Sequence, residues 1–257
     1  MTSRRTAIVT GASRGIGHAI ALRFHADGWR VITVSRTPPP GACPWSRERT
    51  HILLDLSDLD NVIRCIEIMR DMLGDGALDA LVNNAGISPK GLDGGRLNSL
   101  DTDVATWQSM FNTNFYAPLL MTRGFASELA KARGAVVNLT SIAASRVHPF
   151  AGSAYATSKA ALGALTREMA YDLAPLGVRV NAVNPGVTVT NLHRRSGMDE
   201  TQYAAFLERA KTTHPLGRPG RPDDVAETIL FLASDRASWM TGETIPIDGG
   251  RHLTCAR

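Results

Sequence analysis

Short apolar runs rich in β-branched residues alternate along this chain with stretches whose apolar residues recur every three or four positions. Thr6-Ala-Ile-Val-Thr10 is followed by Ile16, Ala19, Ile20 and Phe24, which predicts a strand, a turn and a helix. Arg30-Val-Ile-Thr-Val-Ser35 reads as a second strand and His51-Ile-Leu-Leu-Asp-Leu56 as a third. Asp58 to Leu73 reads as a helix capped by Ser57 or Asp58. Leu78 to Val82 predicts a fourth strand, Trp107 to about Lys131 a long helix, and Ala135 to Thr140 a fifth strand. Ala154 to Ala174 reads as a helix and Val178 to Val183 as a sixth strand. A helix from Asp223 to Ser234 and the strand Glu243 to Ile247 close the pattern. Between the second and third strands, Thr37-Pro-Pro-Pro-Gly-Ala-Cys-Pro44 breaks regular structure.

Repeated strand–helix–strand units imply an α/β fold: a doubly wound parallel sheet of about seven strands with helices on both faces. In such sheets the ligand site lies beyond the carboxyl ends of the strands. Gly11 to Gly17, Arg36, Asp55, Asn83, Ser141 and Pro185 all fall at such ends. With 257 residues, 44% of them hydrophobic, one domain spanning 1–257 accommodates the whole pattern.

Charge and cysteine usage narrow the class. Twenty-eight basic residues face 24 acidic ones, a net charge of +4. The charges are dispersed and not interleaved with aromatics, so the reading is of a protein that binds a polyanionic cofactor and not nucleic acid. Cys43, Cys65 and Cys255 are scattered and lack metal-ligand spacing, which predicts neither a metal site nor a disulfide framework and fits a reducing, cytoplasmic compartment. The apolar run after Arg4 and Arg5 is too short for a signal peptide, and no window has the 18 or so apolar residues of a membrane span.

Two clusters carry the chemistry. Gly11, Gly15 and Gly17 between the first strand and helix form a glycine-rich turn. There the backbone can approach a pyrophosphate, and the helix start favours its charge. Tyr155 and Lys159 lie one helical turn apart, fourteen and eighteen residues after Ser141. A phenol holds its proton until pH about 10, and a fixed ammonium alongside favours the phenolate, bringing the group into range for acid–base work. A serine hydroxyl could hold the same substrate oxygen.

With these residues in place the chain resembles the short-chain dehydrogenase/reductase family over nearly its whole length. The matches are Thr10-Gly-x-x-x-Gly-x-Gly17, Asn83-Asn-Ala-Gly86, Asn114, Ser141, Tyr155-x-x-x-Lys159, Asn184-Pro-Gly186 and Asp248-Gly-Gly250. The resemblance is to compact, 3-oxoacyl-carrier-protein-reductase-like members with a single-domain Rossmann fold. Enoyl reductases space Tyr and Lys wider, and pteridine reductases replace the middle glycine by Arg.

The resemblance implies Asn114, Ser141, Tyr155 and Lys159 as the catalytic residues. Tyr155 would exchange a proton with the carbonyl or hydroxyl oxygen, and Lys159 would lower its pKa and hold the nicotinamide ribose. Ser141 would position the substrate oxygen, and Asn114 would hold a water linking Lys159 to solvent, with Asn112 as its competitor. The cofactor would lie along Gly11, Ser13, Arg14, Gly15, Ile16 and Gly17, with Asp55 and Leu56 flanking the adenine. Asn83, Ala85 and Gly86 would line the ribose, while Pro185, Gly186, Val187, Thr188 and Thr190 would approach the pyrophosphate or carboxamide. NAD-preferring members carry an acidic residue at the end of the second strand; here stand Ser35 and Arg36. A guanidinium holds a 2′-phosphate that a carboxylate would repel, so Arg36 and Arg14 point to NADP(H).

The expected activity is interconversion of a small-molecule ketone and a secondary alcohol, in a homotetramer or homodimer. NAD-linked alcohol oxidation and a non-catalytic nucleotide sensor are the alternatives. Substrate choice should lie in Ala143 to Ala154, in a lid at 191–215 containing a small mobile helix, and near Lys90. His148 and Phe150 are candidate pocket walls, and His193, Arg194 and Arg195 either recognise an anion or form a solvated surface.

Overall fold

A computed structural model of the chain describes residues 4–74, 76–91, 94–190 and 198–254. Seven strands form one sheet in the order β3-β2-β1-β4-β5-β6-β7. They are β1 (Thr6–Thr10), β2 (Arg30–Ser35), β3 (His51–Leu53), β4 (Ala80–Asn83), β5 (Ala135–Leu139), β6 (Arg179–Pro185) and β7 (Thr244–Ile247). Every neighbouring pair is parallel. The doubly wound fold expected from the alternation is therefore the one observed.

Successive residues of each strand go to opposite faces, and both faces are covered. Ala7, Val9, Val31, Val82, Val137 and Val183 pack under α1 (Gly15–Ala26) and a late helix, Pro222–Ala233. Ile8, Ile32, Val34, Leu81, Val136 and Val180 pack on the other face with α3 (Leu59–Leu73), Ala117–Gly124 and Ser153–Leu173. Each fully buried Val, Ile or Leu there contributes roughly 2 kcal/mol. The strand order reverses between β1 and β4, which opens a crevice at the carboxyl end of the sheet.

The structure differs from the sequence reading in three places. The single helix expected over Trp107–Lys131 is divided into α4 (Val104–Phe111), a π-helical turn (Asn112–Tyr116), α5 (Ala117–Gly124) and α6 (Ala126–Ala132). Pro118 stands in the first turn of α5 and offers no N–H to the carbonyl of Asn114. The Ala117 N–H reaches back five residues to the Asn112 carbonyl. Gly124 then lets α5 close on α3, since a Cβ there would sit 2.7 Å from Ile66 Cδ1.

The proline-rich break also contains one helical turn, α2 (Pro44–Arg47), which seats a buried Trp45 against the core. In the lid segment, where a small helix was expected, α8 runs over fourteen residues (Glu200–Thr213), held at its start by a capping box between Asp199 and Gln202. Helices α7 (Ser153–Leu173) and α9 (Pro222–Ala233) lie where expected. None of the helices among the described residues is long and apolar enough to cross a membrane.

Candidate active site

The glycine turn after β1 is latched to the loop after β4. Thr10 Oγ1 accepts the backbone N–H groups of Asn84 (3.0 Å) and Ala85 (2.9 Å). Asn84 Nδ2 donates back to the Thr10 carbonyl at 2.8 Å. Gly11 has φ +70° and no room for a side chain: a Cβ there would lie 2.9 Å from Ala85 Cα. At Gly17 a Cβ would lie 2.4 Å from the Gly11 carbonyl oxygen, so α1 meets the turn only through glycine. Arg14 begins α1 with no side-chain cap on the first N–H groups. A glycine cradle under an uncapped helix start fits the pyrophosphate of a dinucleotide.

At the outer end of this groove, Arg14 donates to Thr37 Oγ1 at 3.0 Å, and Thr37 Oγ1 donates to Ser13 Oγ at 3.1 Å. Ser35 Oγ donates to the Thr37 carbonyl at 2.7 Å, with the His51 ring behind it at 3.3 Å. Burial pushes the His51 imidazole below its ordinary value. Arg36 is half exposed, with Asp55 3.9 Å away. Leu56 is buried in the core under α3. Thr37 and His51 were not among the residues singled out from the sequence; their neighbourhood follows from the parallel register of β2 with β3, which pairs Thr33 with His51.

At the inner end stand Ser141, Tyr155 and Lys159. Ser141 follows β5 and caps a short 3₁₀ turn (Ile142–Ala144), accepting the Ala143 N–H at 3.2 Å. Its hydroxyl and the Tyr155 phenol, from the first turn of α7, line the same cavity wall. Burial pushes that phenol above its ordinary value, and the nearby Ser141 hydroxyl opposes the rise. Lys159, one turn further along α7, is 3% exposed, and its Nζ donates to the Leu139 carbonyl at 2.6 Å. Burial lowers this ammonium to about 8. The lowering of Tyr155 by Lys159 that the sequence implied does not govern the phenol here; its own desolvation does.

Asn114 is fully buried in the π-helical turn. Its Oδ1 accepts the Ile87 N–H at 2.9 Å, and its Nδ2 donates to the Ile87 carbonyl (3.1 Å) and to Ser158 Oγ (3.0 Å). The competitor Asn112 points elsewhere, donating to the Ser57 carbonyl at 3.1 Å. Asn114 and Lys159 meet at Gly86, where a Cβ would lie 3.2 Å from Asn114 Oδ1 and 3.3 Å from Lys159 Nζ.

Asn83 is placed differently from the ribose-lining side chain that was expected. It is buried, donating to Asn138 Oδ1 (2.9 Å) and Thr122 Oγ1 (3.3 Å), so only its backbone is left for the groove. The reason is the pleat: its neighbour Asn84 takes the outward direction and latches the glycine turn.

A cavity of about 130 Å³ opens beside Tyr155. Ile16, Ser141, Tyr155, Pro185, Gly186, Val187, Thr188 and Thr190 line it, joined by Ser88, His148, Phe150 and Phe206. Phe206 comes from α8, whose Tyr203, Phe206 and Ala210 form a small apolar cluster with Val187 and Met198. The Asp199-x-x-Gln202 capping box was the signal that could have found this helix. His193, Arg194 and Arg195 lie outside the described residues. His214 was also missed: its Nδ1 faces the Ala210 carbonyl at 2.8 Å, and its buried Nε2 has no hydrogen-bond partner. That atom stands behind the Pro185–Gly186 turn.

Known proteins resemble this chain over most of its length. A family model described as Enoyl-(Acyl carrier protein) reductase matches residues 11–252. Protein FixR of Bradyrhizobium diazoefficiens is 50% identical over 96% of this chain and 86% of its own length. L-xylulose reductase of Bos taurus is 36% identical over 96% of each chain. Among solved structures, a short-chain dehydrogenase/reductase family oxidoreductase from Brucella ovis, in complex with a partially ordered NAD, is 47% identical. It superposes with a TM-score of 0.77 over 95% of this chain and 99% of its own. The chain belongs to the short-chain dehydrogenase/reductase family. It is thus an oxidoreductase-family protein, and the Brucella ovis relative binds NAD.

Proposed function

We propose that this protein is an NADPH-dependent oxidoreductase that interconverts a ketone and a secondary alcohol. The observation that carries the reading is that Ser141 and Tyr155 line one cavity wall, in a cavity that also touches Ile16 and Thr188. The nicotinamide, when bound, supplies or accepts the hydride. Everything else falls to the chain.

Tyr155, held protonated by burial, gives its proton to the substrate oxygen in reduction and takes it back in oxidation. Ser141 fixes that oxygen and stabilises charge developing on it. Lys159 and Asn114, converging at Gly86, hold the nicotinamide ribose and the route by which the proton is replaced. Gly11, Ser13, Gly15, Ile16 and Gly17 carry the pyrophosphate side, and Asp55, Ala85, Pro185, Gly186, Val187 and Thr190 complete the groove, while Leu56 packs into the core behind it. Tyr155-x-x-x-Lys159 spacing favours carbonyl over enoyl chemistry, and helices α4 to α7 support a dimer or tetramer.

The NADP preference rests on Arg14 and Arg36 and on Ser35, in place of an acid, at the end of β2. NAD is a second reading, favoured by the partially ordered NAD of the Brucella ovis relative. Titration of the protein's tryptophan fluorescence with each nucleotide separates them. NADPH binding at least tenfold tighter than NADH supports the proposal. Equal or NADH-favouring binding overturns the cofactor assignment, and binding of neither overturns the reductase reading.

A further inference from the structure

The cavity beside Tyr155 has a wall whose charge the reaction itself does not use. His148 and Tyr155 are the titratable side chains lining it among the described residues. His148 Nδ1 accepts the Phe150 N–H at 3.3 Å, which leaves the ring proton on Nε2. The His148 and Phe150 rings lie 5.9 Å apart, and Arg209 stands over Phe150 at the same distance.

Around this pair gathers positive charge. Lys90 donates to the Phe150 carbonyl, and Arg96 donates to the Ala151 carbonyl at 2.8 Å and to Ser153 Oγ at 3.1 Å. Arg146 donates to the carbonyls of Arg251 and Thr254, each at 2.8 Å. All of these acceptors are neutral, so the bonds anchor the cations without cancelling them. Burial brings the Lys90 ammonium down to about 8, with Arg96 adding to the fall. Burial also brings His148 down to about 4, and Arg251, Lys90, Arg146 and His214 all push the same way.

Asp248 is the carboxylate that offsets Arg251 and His214. Its oxygens already accept the Gly250 N–H (3.1 Å), the His252 N–H (2.7 Å) and the His252 ring (3.0 Å). Cations gathered in a partly buried site raise each other's energy, and an anion arriving among them relieves that repulsion. Ile142, Ala143, Val187 and Phe206 make part of the wall apolar, and Ser88, Thr188 and Thr190 add neutral hydroxyls. A lone anion would be costly to bury there without such charge.

We propose that the substrate carries a carboxylate, received at the His148–Phe150 wall by the His148 ring with Lys90 and Arg146 as the supporting charges. This deepens the reductase reading above and rests on it: the substrate would be a keto acid or the matching hydroxy acid.

The test compares oxo acids of four to eight carbons with their own methyl esters. Calorimetric binding is measured on protein saturated with NADP⁺ or NAD⁺, whichever binds more tightly, and turnover is measured with NADPH and with NADH. The expected result is at least one acid bound tenfold or more tighter than its ester. Lys90→Met and His148→Gln, each checked for intact nucleotide binding, should each cut that ratio several-fold. Esters binding as tightly as acids, no acid binding, or a ratio indifferent to both variants would overturn the proposal.

The two readings fail separately. Selective binding of acids without reduction of any would leave the carboxylate site standing and remove the reductase. Reduction of neutral ketones with no preference for acids would do the reverse.

Discussion

The Lys159 ammonium donates to the Leu139 carbonyl at 2.6 Å, at the carboxyl end of β5 and nearly sealed from solvent. Burial lowers its pKa to about 8 from the ordinary lysine value of about 10.5. Between those values the unfolded chain binds a proton that the folded chain lacks. Stability contributed by this group therefore rises with pH from about 8 to 10.5, and the burden of the buried charge is complete below pH 8. The span corresponds to about 3 kcal/mol. Melting temperatures of Lys159→Met and wild type, compared from pH 7 to 10.5, should show the variant's relative stability falling as pH rises. Parallel curves would contradict the account.

Gly17 and Gly163 make a matched pair for the glycine turn. A Cβ at Gly17 would lie 2.4 Å from a backbone oxygen, whereas Gly163 on α7 has nothing within 4 Å. Gly17→Ala should destabilise by about 1–3 kcal/mol and weaken nucleotide binding, because either the turn or α1 must move. Gly163→Ala should stabilise by roughly 0.5–1 kcal/mol through the lower entropy of the unfolded chain. Thermal melts with and without nucleotide read both effects.

How far the sequence carries the fold depends on what each residue answers to. Strand runs such as Arg30–Ser35 and the α7 face were legible because burial imposes their period directly. The π-helical turn at Asn112–Tyr116 was not, since it results from Pro118 acting on a carbonyl four residues earlier. In the site, Ser141, Tyr155 and Lys159 could be read from spacing and type. Their aims could not: Asn83 turns into the sheet toward Asn138, and Lys159 reaches Leu139, because strand neighbours set those directions. Thr37 and His51 escaped notice for the same reason.

Arg36 and Asp55 stand 3.9 Å apart at the mouth of the groove, both substantially exposed. An exposed pair of this kind contributes about 0–1 kcal/mol to stability, so a 2′-phosphate can compete for the guanidinium. Arg36→Leu is expected to weaken NADPH about tenfold or more and to leave NADH nearly unchanged. Asp55→Asn should tighten NADPH modestly by removing the competitor. Nucleotide titrations at low and physiological salt check both, and the Arg36 effect should shrink at higher ionic strength.

Tyr171 on α7 is largely exposed and Trp239 is fully exposed. Their exposure makes both rings candidates for contact between copies of the chain. Light scattering is expected to give a dimer or tetramer mass, and Tyr171→Glu with Trp239→Glu should lower it. A monomeric wild type would remove the oligomer from the account.

The most direct measurement is NADPH consumption by wild type and Tyr155→Phe with a panel of ketones and keto acids, alongside nucleotide titration of both. Removing one hydroxyl leaves the packing of α7 in place and deletes the proton donor. The account predicts a fall in turnover of about 10²–10⁴-fold, with NADPH binding within a few-fold of wild type. Turnover by Tyr155→Phe at the wild-type rate would contradict it.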